Sequence, residues 1–148
     1  MIDQLLKDIE EAVRLKLYSV ALIGLLTLPD ICGAVEYGED VAVGERYLKW
    51  LNEFGKMMWR NEKDKKWFSP EDVYELRCNV LHLGKVAKNN SDRRRIGISV
   101  PDENGLHVNW PDPKEEPGVV PYVMALPGFK IQMLATVHFW QEQRSGAI

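Results

Sequence analysis

The chain has 148 residues, 45% of them apolar, and carries a formal charge of −3. That length makes one domain, 1–148, with a single core, and an acidic balance argues against a broad phosphate-binding surface, which would need clustered Lys and Arg. Cys32 and Cys78 fit no metal-ligand spacing, so a reducing, cytoplasmic setting is expected, with no metal and no cofactor.

Along the chain, Leu5, Leu6, Ile9, Val13 and Leu17 recur at three- and four-residue spacing and predict an amphipathic first helix from Asp3 to about Lys16. Tyr18 to Leu28 is apolar nearly all round, with Ala21 and Gly24 permitting close approach. It reads as a buried central helix, separate from or continuous with the first, that ends before Pro29. Leu17 to Leu28 is uncharged and strongly apolar, and it falls short of the roughly 20 residues of a membrane span, so no membrane association is expected. Asp30 to Gly44 holds three glycines and several acids and suits a surface connection in which Asp30 caps a turn, the alternative being that Asp30 assists Arg77 and His82. From Glu45 to about Arg60, Tyr47, Leu51, Phe54 and Met58 form a stripe that Trp50 extends, and such a stripe belongs in a core. Base stacking would require exposed rings beside positive charge.

The best-marked helix opens at Ser69-Pro70-Glu71-Asp72. Ser69 suits the N-cap, Pro70 the first helical position, and the acids the positive end of the dipole. At about 100° per residue, Val73, Leu76, Val80 and Leu83 share one face, and Tyr74, Cys78 and Leu81 a second. Arg77 falls in one polar seam, and Asn79 and His82 share the other. Two burying faces call for two partners: the chain's own core for one, and a neighbouring helix or a second copy of the chain for the other.

Beyond Lys88, Ile96, Ile98 and Val100 alternate with small residues, as do Leu106, Val108 and Trp110 around Asn104-Gly105. This predicts a hairpin at about 96–100 and 106–110. Trp110 to Pro121 has four prolines and is expected to run irregularly. Tyr122 to Leu126 is a candidate third strand, and a last helix from Pro127-Gly128 carries Phe129, Met133, Val137 and Trp140 on one side. The expected fold is therefore mainly α: an antiparallel bundle of four to five helices, with a small β-hairpin and proline-rich insertion at about 90–126 before the last helix.

Arg77-Cys78-Asn79-Val80-Leu81-His82, with Tyr74 before it, Leu-His-Leu-Gly to close and Leu28-Pro29-Asp30-Ile31-Cys32-Gly33-Ala34 upstream, resembles the Arg-x4-His motif of the HEPN superfamily, in an uncharacterised bacterial branch. The resemblance covers about residues 1–88 and the final helix. It departs from the pattern at Cys78, where the family has a polar residue, with Asn79 one place later.

The resemblance implies a metal-independent endoribonuclease. Arg77 would clamp the scissile phosphate, His82 would exchange protons, and Asn79 would steady the imidazole or a phosphate oxygen. Lys85, Arg93 and Arg94 are candidate substrate-binding cations, against the ordinary reading of a solvated basic loop. A homodimer through the motif helix would supply two histidines to one cleft, giving a 2′,3′-cyclic phosphate. An antitoxin or nucleotidyltransferase partner would restrain it. The alternative is a non-catalytic homodimeric RNA- or nucleotide-binding or protein-interaction module of a toxin-antitoxin or phage-defence system.

Overall fold

The computed structural model describes residues 1–55, 68–83, 87–89, 94–99 and 120–146, with backbone alone at 82–83, 87–89, 94–97, 99 and 120–124. Described helices are α1 (Ile2–Arg14), α2 (Tyr18–Tyr37), α3 (Val43–Phe54), α4 (Pro70–Cys78) and α5 (Leu126–Ser145); strands are β1 (Ala87–Asn89), β2 (Arg94–Ser99) and β3 (Val120–Ala125). The fold is a mainly helical bundle. At its centre is α2, which touches α1, α3, α4 and α5.

The two N-terminal helices are separate. Lys16 takes φ 59°, Leu17 N–H donates to Ala12 O (2.7 Å) and Lys16 N–H to Val13 O (3.0 Å). These are the paired bonds of a Schellman stop, made here with lysine at the left-handed position that glycine usually fills.

The expected end of α2 before Pro29 is corrected: the helix runs through Pro29 to Tyr37. A proline inside a helix costs about 3 kcal/mol, yet Leu28 and Cys32, on either side of it, are wholly buried. Burying such side chains returns roughly 1.5–3 kcal/mol each, so tertiary burial outweighs propensity. The surface connection expected over 30–44 shrinks to 38–42. Gly33 lies against α3 so tightly that a Cβ there would sit 2.9 Å from the Arg46 carbonyl oxygen.

Tyr47, Trp50 and Leu51 of α3 are fully buried, as their stripe predicts, although the helix starts at Val43, two residues earlier than expected. Its expected continuation to Arg60, including Met58, lies outside the described residues. On α5 the predicted stripe of Phe129, Met133, Val137 and Trp140 is buried. Continued through Pro29, α2 is long and apolar enough to span a membrane (mean hydropathy 1.7), a test that a core helix also passes, and half of that window is buried inside the fold.

Near the C-terminal end of α5, Trp140 Nε1–H donates to Glu36 Oε2 (2.9 Å) and Arg144 Nη1 reaches the same oxygen (2.7 Å). Burial alone would raise the Glu36 carboxyl, but the bonds from Arg144 and Trp140 outweigh it and hold it below the usual value. Its folded-state value is thus lower than that of the unfolded chain. The contribution is fully present above about pH 4.3 and lost as pH falls through the depressed value. We expect the urea-midpoint gap between the native protein and Glu36→Gln to stay constant from pH 8 to about 5 and to close in more acid solution.

The three strands are ordered β1-β2-β3. β1 pairs antiparallel to β2 (Ala87 opposite Gly97), and β3 pairs parallel to it (Arg94 opposite Val120, Ser99 opposite Ala125). The expected third strand is β3, but it begins at Val120, so Val120-Pro121 is strand rather than irregular chain. The change to strand, expected beyond Lys88, comes with β1 by Ala87. Of the expected hairpin, the 96–100 arm falls largely in β2. The 106–110 arm lies outside the described residues, and over 95–97 both edges of β2 are already occupied by β1 and β3.

Candidate functional site

The site begins with the local rules that start α4. Ser69 Oγ accepts from Asp72 N–H (3.2 Å), while Ser69 N–H donates to the Asp72 carboxylate (2.9 Å). This capping box, the form the sequence predicts, is worth about 1 kcal/mol. Val73 and Leu76 are buried, while Tyr74, Cys78 and Leu81 are half-buried. Among its described residues the first strip is buried only at Val73 and Leu76, Val80 being half-buried like the second strip, and Asn79, expected in a polar seam, is buried.

Arg77 leaves α4 toward α2. Its Nε and Nη2 both meet Asp30 Oδ2, at 3.0 and 2.9 Å, and each of the two side chains is only 15% exposed. Asp30 is therefore not the cap expected of it but an interior residue of α2 holding the motif arginine. Its other oxygen, Oδ1, is buried and accepts no hydrogen bond from the described residues.

Two aromatic rings back this pair. The Tyr74 ring centroid lies 5.9 Å from the guanidinium carbon and 5.2 Å from that of Tyr47, whose hydroxyl donates to Leu26 O (3.1 Å). Gly44 admits the Tyr74 hydroxyl, since a Cβ at 44 would stand 2.8 Å from it. Cys78 Sγ is 4.0 Å from Arg77 Nη1.

The electrostatics keep this group in one charge state. Burial works against the Arg77 cation, but Asp30 more than compensates, and its affinity for the proton is raised. Burial, followed by Cys78, raises the Tyr74 phenol, and burial raises that of Tyr47 well above its ordinary value. Burial pushes the Cys32 thiol up to about 12, so it is an inert core group. Among the described residues no group of three His, Cys, Asp or Glu side chains is placed to hold a metal ion.

Beyond Cys78 the helix widens into a π-helical turn, Asn79–Leu83. The uniform 100° step assumed from sequence stops there. Asn79 is 6% exposed, and its Nδ2 has no hydrogen-bond partner among the described residues. His82 has its backbone in this turn, and its side chain lies outside the described residues. Lys85 and Arg93 are likewise outside them, and Arg94 is described only as backbone at the start of β2.

Of the predicted site residues, α4 and its π extension thus carry Arg77, Asn79 and the backbone of His82. Asp30 is the residue that spacing within the motif could not supply. The signal for it was a carboxylate in a stretch otherwise apolar from Leu25 to Ala34, because a charge among buried neighbours requires a partner. Comparison of the chain with protein-family models, with curated proteins and with solved structures gives no match.

Proposed function

We propose that the protein is a metal-independent endoribonuclease of HEPN type, acting in the cytoplasm as a homodimer. The observation that carries this reading is the Arg77 guanidinium, fixed by Asp30 and shielded by Tyr74 two positions before the widened turn that bears His82. A cation held in this way is suited to a phosphate that gains charge in the transition state, since it needs no reorganisation as the charge develops.

In the reaction, one imidazole takes the proton of the ribose 2′-hydroxyl as that oxygen bonds to phosphorus. The bond from phosphorus to the 5′-oxygen breaks, and an imidazolium from the partner protomer protonates the leaving oxygen. The products are a 2′,3′-cyclic phosphate and a 5′-hydroxyl. Incubating labelled RNA with the protein in EDTA tests the reading: cleavage that His82→Ala abolishes supports it, and intact RNA overturns it.

A second reading has its own observation. The near-complete engagement of Arg77 by Asp30 is also what a purely structural staple between α2 and α4 would provide. The protein would then be a non-catalytic homodimeric module that binds RNA, a nucleotide or a protein in a toxin-antitoxin or phage-defence system.

Both readings use a dimer through the motif helix, whose half-covered Tyr74, Cys78 and Leu81 strip is the surface for it. We expect light scattering to give twice the chain mass at micromolar concentration and Leu81→Glu to halve it. A native monomer would remove the composite cleft.

A further inference from the structure

We infer that the π-helical turn Asn79–Leu83 is a positioning device that carries position 82 away from Glu75 and round toward Arg77. The starting point is angular. In a regular α-helix a five-residue step turns 500°, so position 82 would stand about 140° from Arg77 and only about 20° from Glu75, seven residues back. On such a helix the arginine and the histidine of the motif would face different neighbours. A π turn closes i→i+5 and so winds through fewer degrees per residue. Three of the five steps from Arg77 to position 82 lie within this turn. The deficit accumulates over them and leaves position 82 nearer to Arg77 and farther from Glu75 than regular winding would.

A second observation marks the same place as one where ordinary packing has been given up. Asn79, the first residue of the turn, is 94% buried, reading from its 6% exposure, and its amide Nδ2 finds no acceptor among the described residues. A buried donor without a partner is rare in a folded protein and calls for a reason, as does a π turn, which occurs mostly as a single turn at functional positions. Here one reason covers both: the helix takes an extra residue into one turn, and the Arg-x4-His spacing comes to behave like a pair on one wall.

The inference rests on the proposed site for its meaning in catalysis, but its geometry is tested without RNA. The His82 imidazole is titrated by NMR in the native protein, in Arg77→Gln and in Glu75→Gln, with its resonances assigned by their loss in His82→Gln. With the wide turn, removing the Arg77 charge raises the His82 midpoint by about half a pH unit or more, and Glu75→Gln moves it less. A response to Glu75→Gln with none to Arg77→Gln is the signature of regular winding and overturns the inference.

Should Arg77→Gln fail to fold, the double variant Asp30→Asn/Arg77→Gln replaces the ion pair by two amides and is compared with Asp30→Asn alone. Nuclear Overhauser contacts from the His82 ring give an independent readout: contacts to Arg77, five residues back, support the wide turn, and contacts to Glu75 and Asn79 with none to Arg77 overturn it. A protein that cuts no RNA but shows the Arg77 response retains this geometry and loses only the nuclease reading.

Discussion

Replacing His82 by alanine is expected to lower RNA cleavage by about 100-fold to 10,000-fold, the contribution of a positioned proton-transfer group, with cleavage in EDTA unaffected in the native protein. Arg77→Ala should cost at least about 100-fold, because it removes the charge that answers the developing phosphate charge. The two losses should be far from additive, since they act on one step. Arg77→Lys separates the two readings. A lysine can keep a charge near Asp30, but it cannot make both the Nε and Nη2 bonds seen at 3.0 and 2.9 Å or present a planar fork to a phosphate. An enzyme should therefore lose most of its rate in Arg77→Lys while unfolding close to the native urea midpoint. The measurement is single-turnover cleavage of an end-labelled RNA, with the midpoint of each variant read alongside. A module that cleaves nothing shows only the midpoint changes.

The largest effect on stability is expected at Trp140. It is 2% exposed, meets Trp50 edge to face at 6.1 Å, donates to Glu36 and lies under Arg144. Trp140→Ala removes the ring and the donor together and should cost about 3–5 kcal/mol, lowering the melting temperature by roughly 10 °C in a chain of this size. Trp140→Phe keeps most of the apolar area and loses the indole N–H, so about 1–2 kcal/mol is expected, mostly from the bond to a charged acceptor. A loss under 1 kcal/mol for the alanine variant would mean that α5 is not held on α2 by this residue. Chemical denaturation decides it.

How legible these features are in the sequence follows from the range of the forces that set them. The start of α4 is written in four adjacent residues, Ser69 to Asp72, and the α5 stripe in one face of a single helix, and both are found as read. The passage of α2 through Pro29 depends on what Leu28 and Cys32 pack against, which no local rule contains. The partnership of Asp30 with Arg77 spans 47 residues, so the sequence shows only that a carboxylate stands in apolar company. The π turn is hidden for a different reason: a fixed 100° step has no means of registering an extra residue in one turn. The strand pairings depend on a register between segments that adjoin in space and not in sequence, and alternation alone finds a strand without its neighbour.

The reversal between α1 and α2 holds a lysine, Lys16, in a backbone conformation that suits glycine. That mismatch lies away from Arg77 and from the π turn, so it can be relieved on its own, and Lys16→Gly should raise the melting temperature by a few degrees. The chain thus carries an untapped margin of robustness at one end, which can offset the weakening caused by exploratory changes around the arginine.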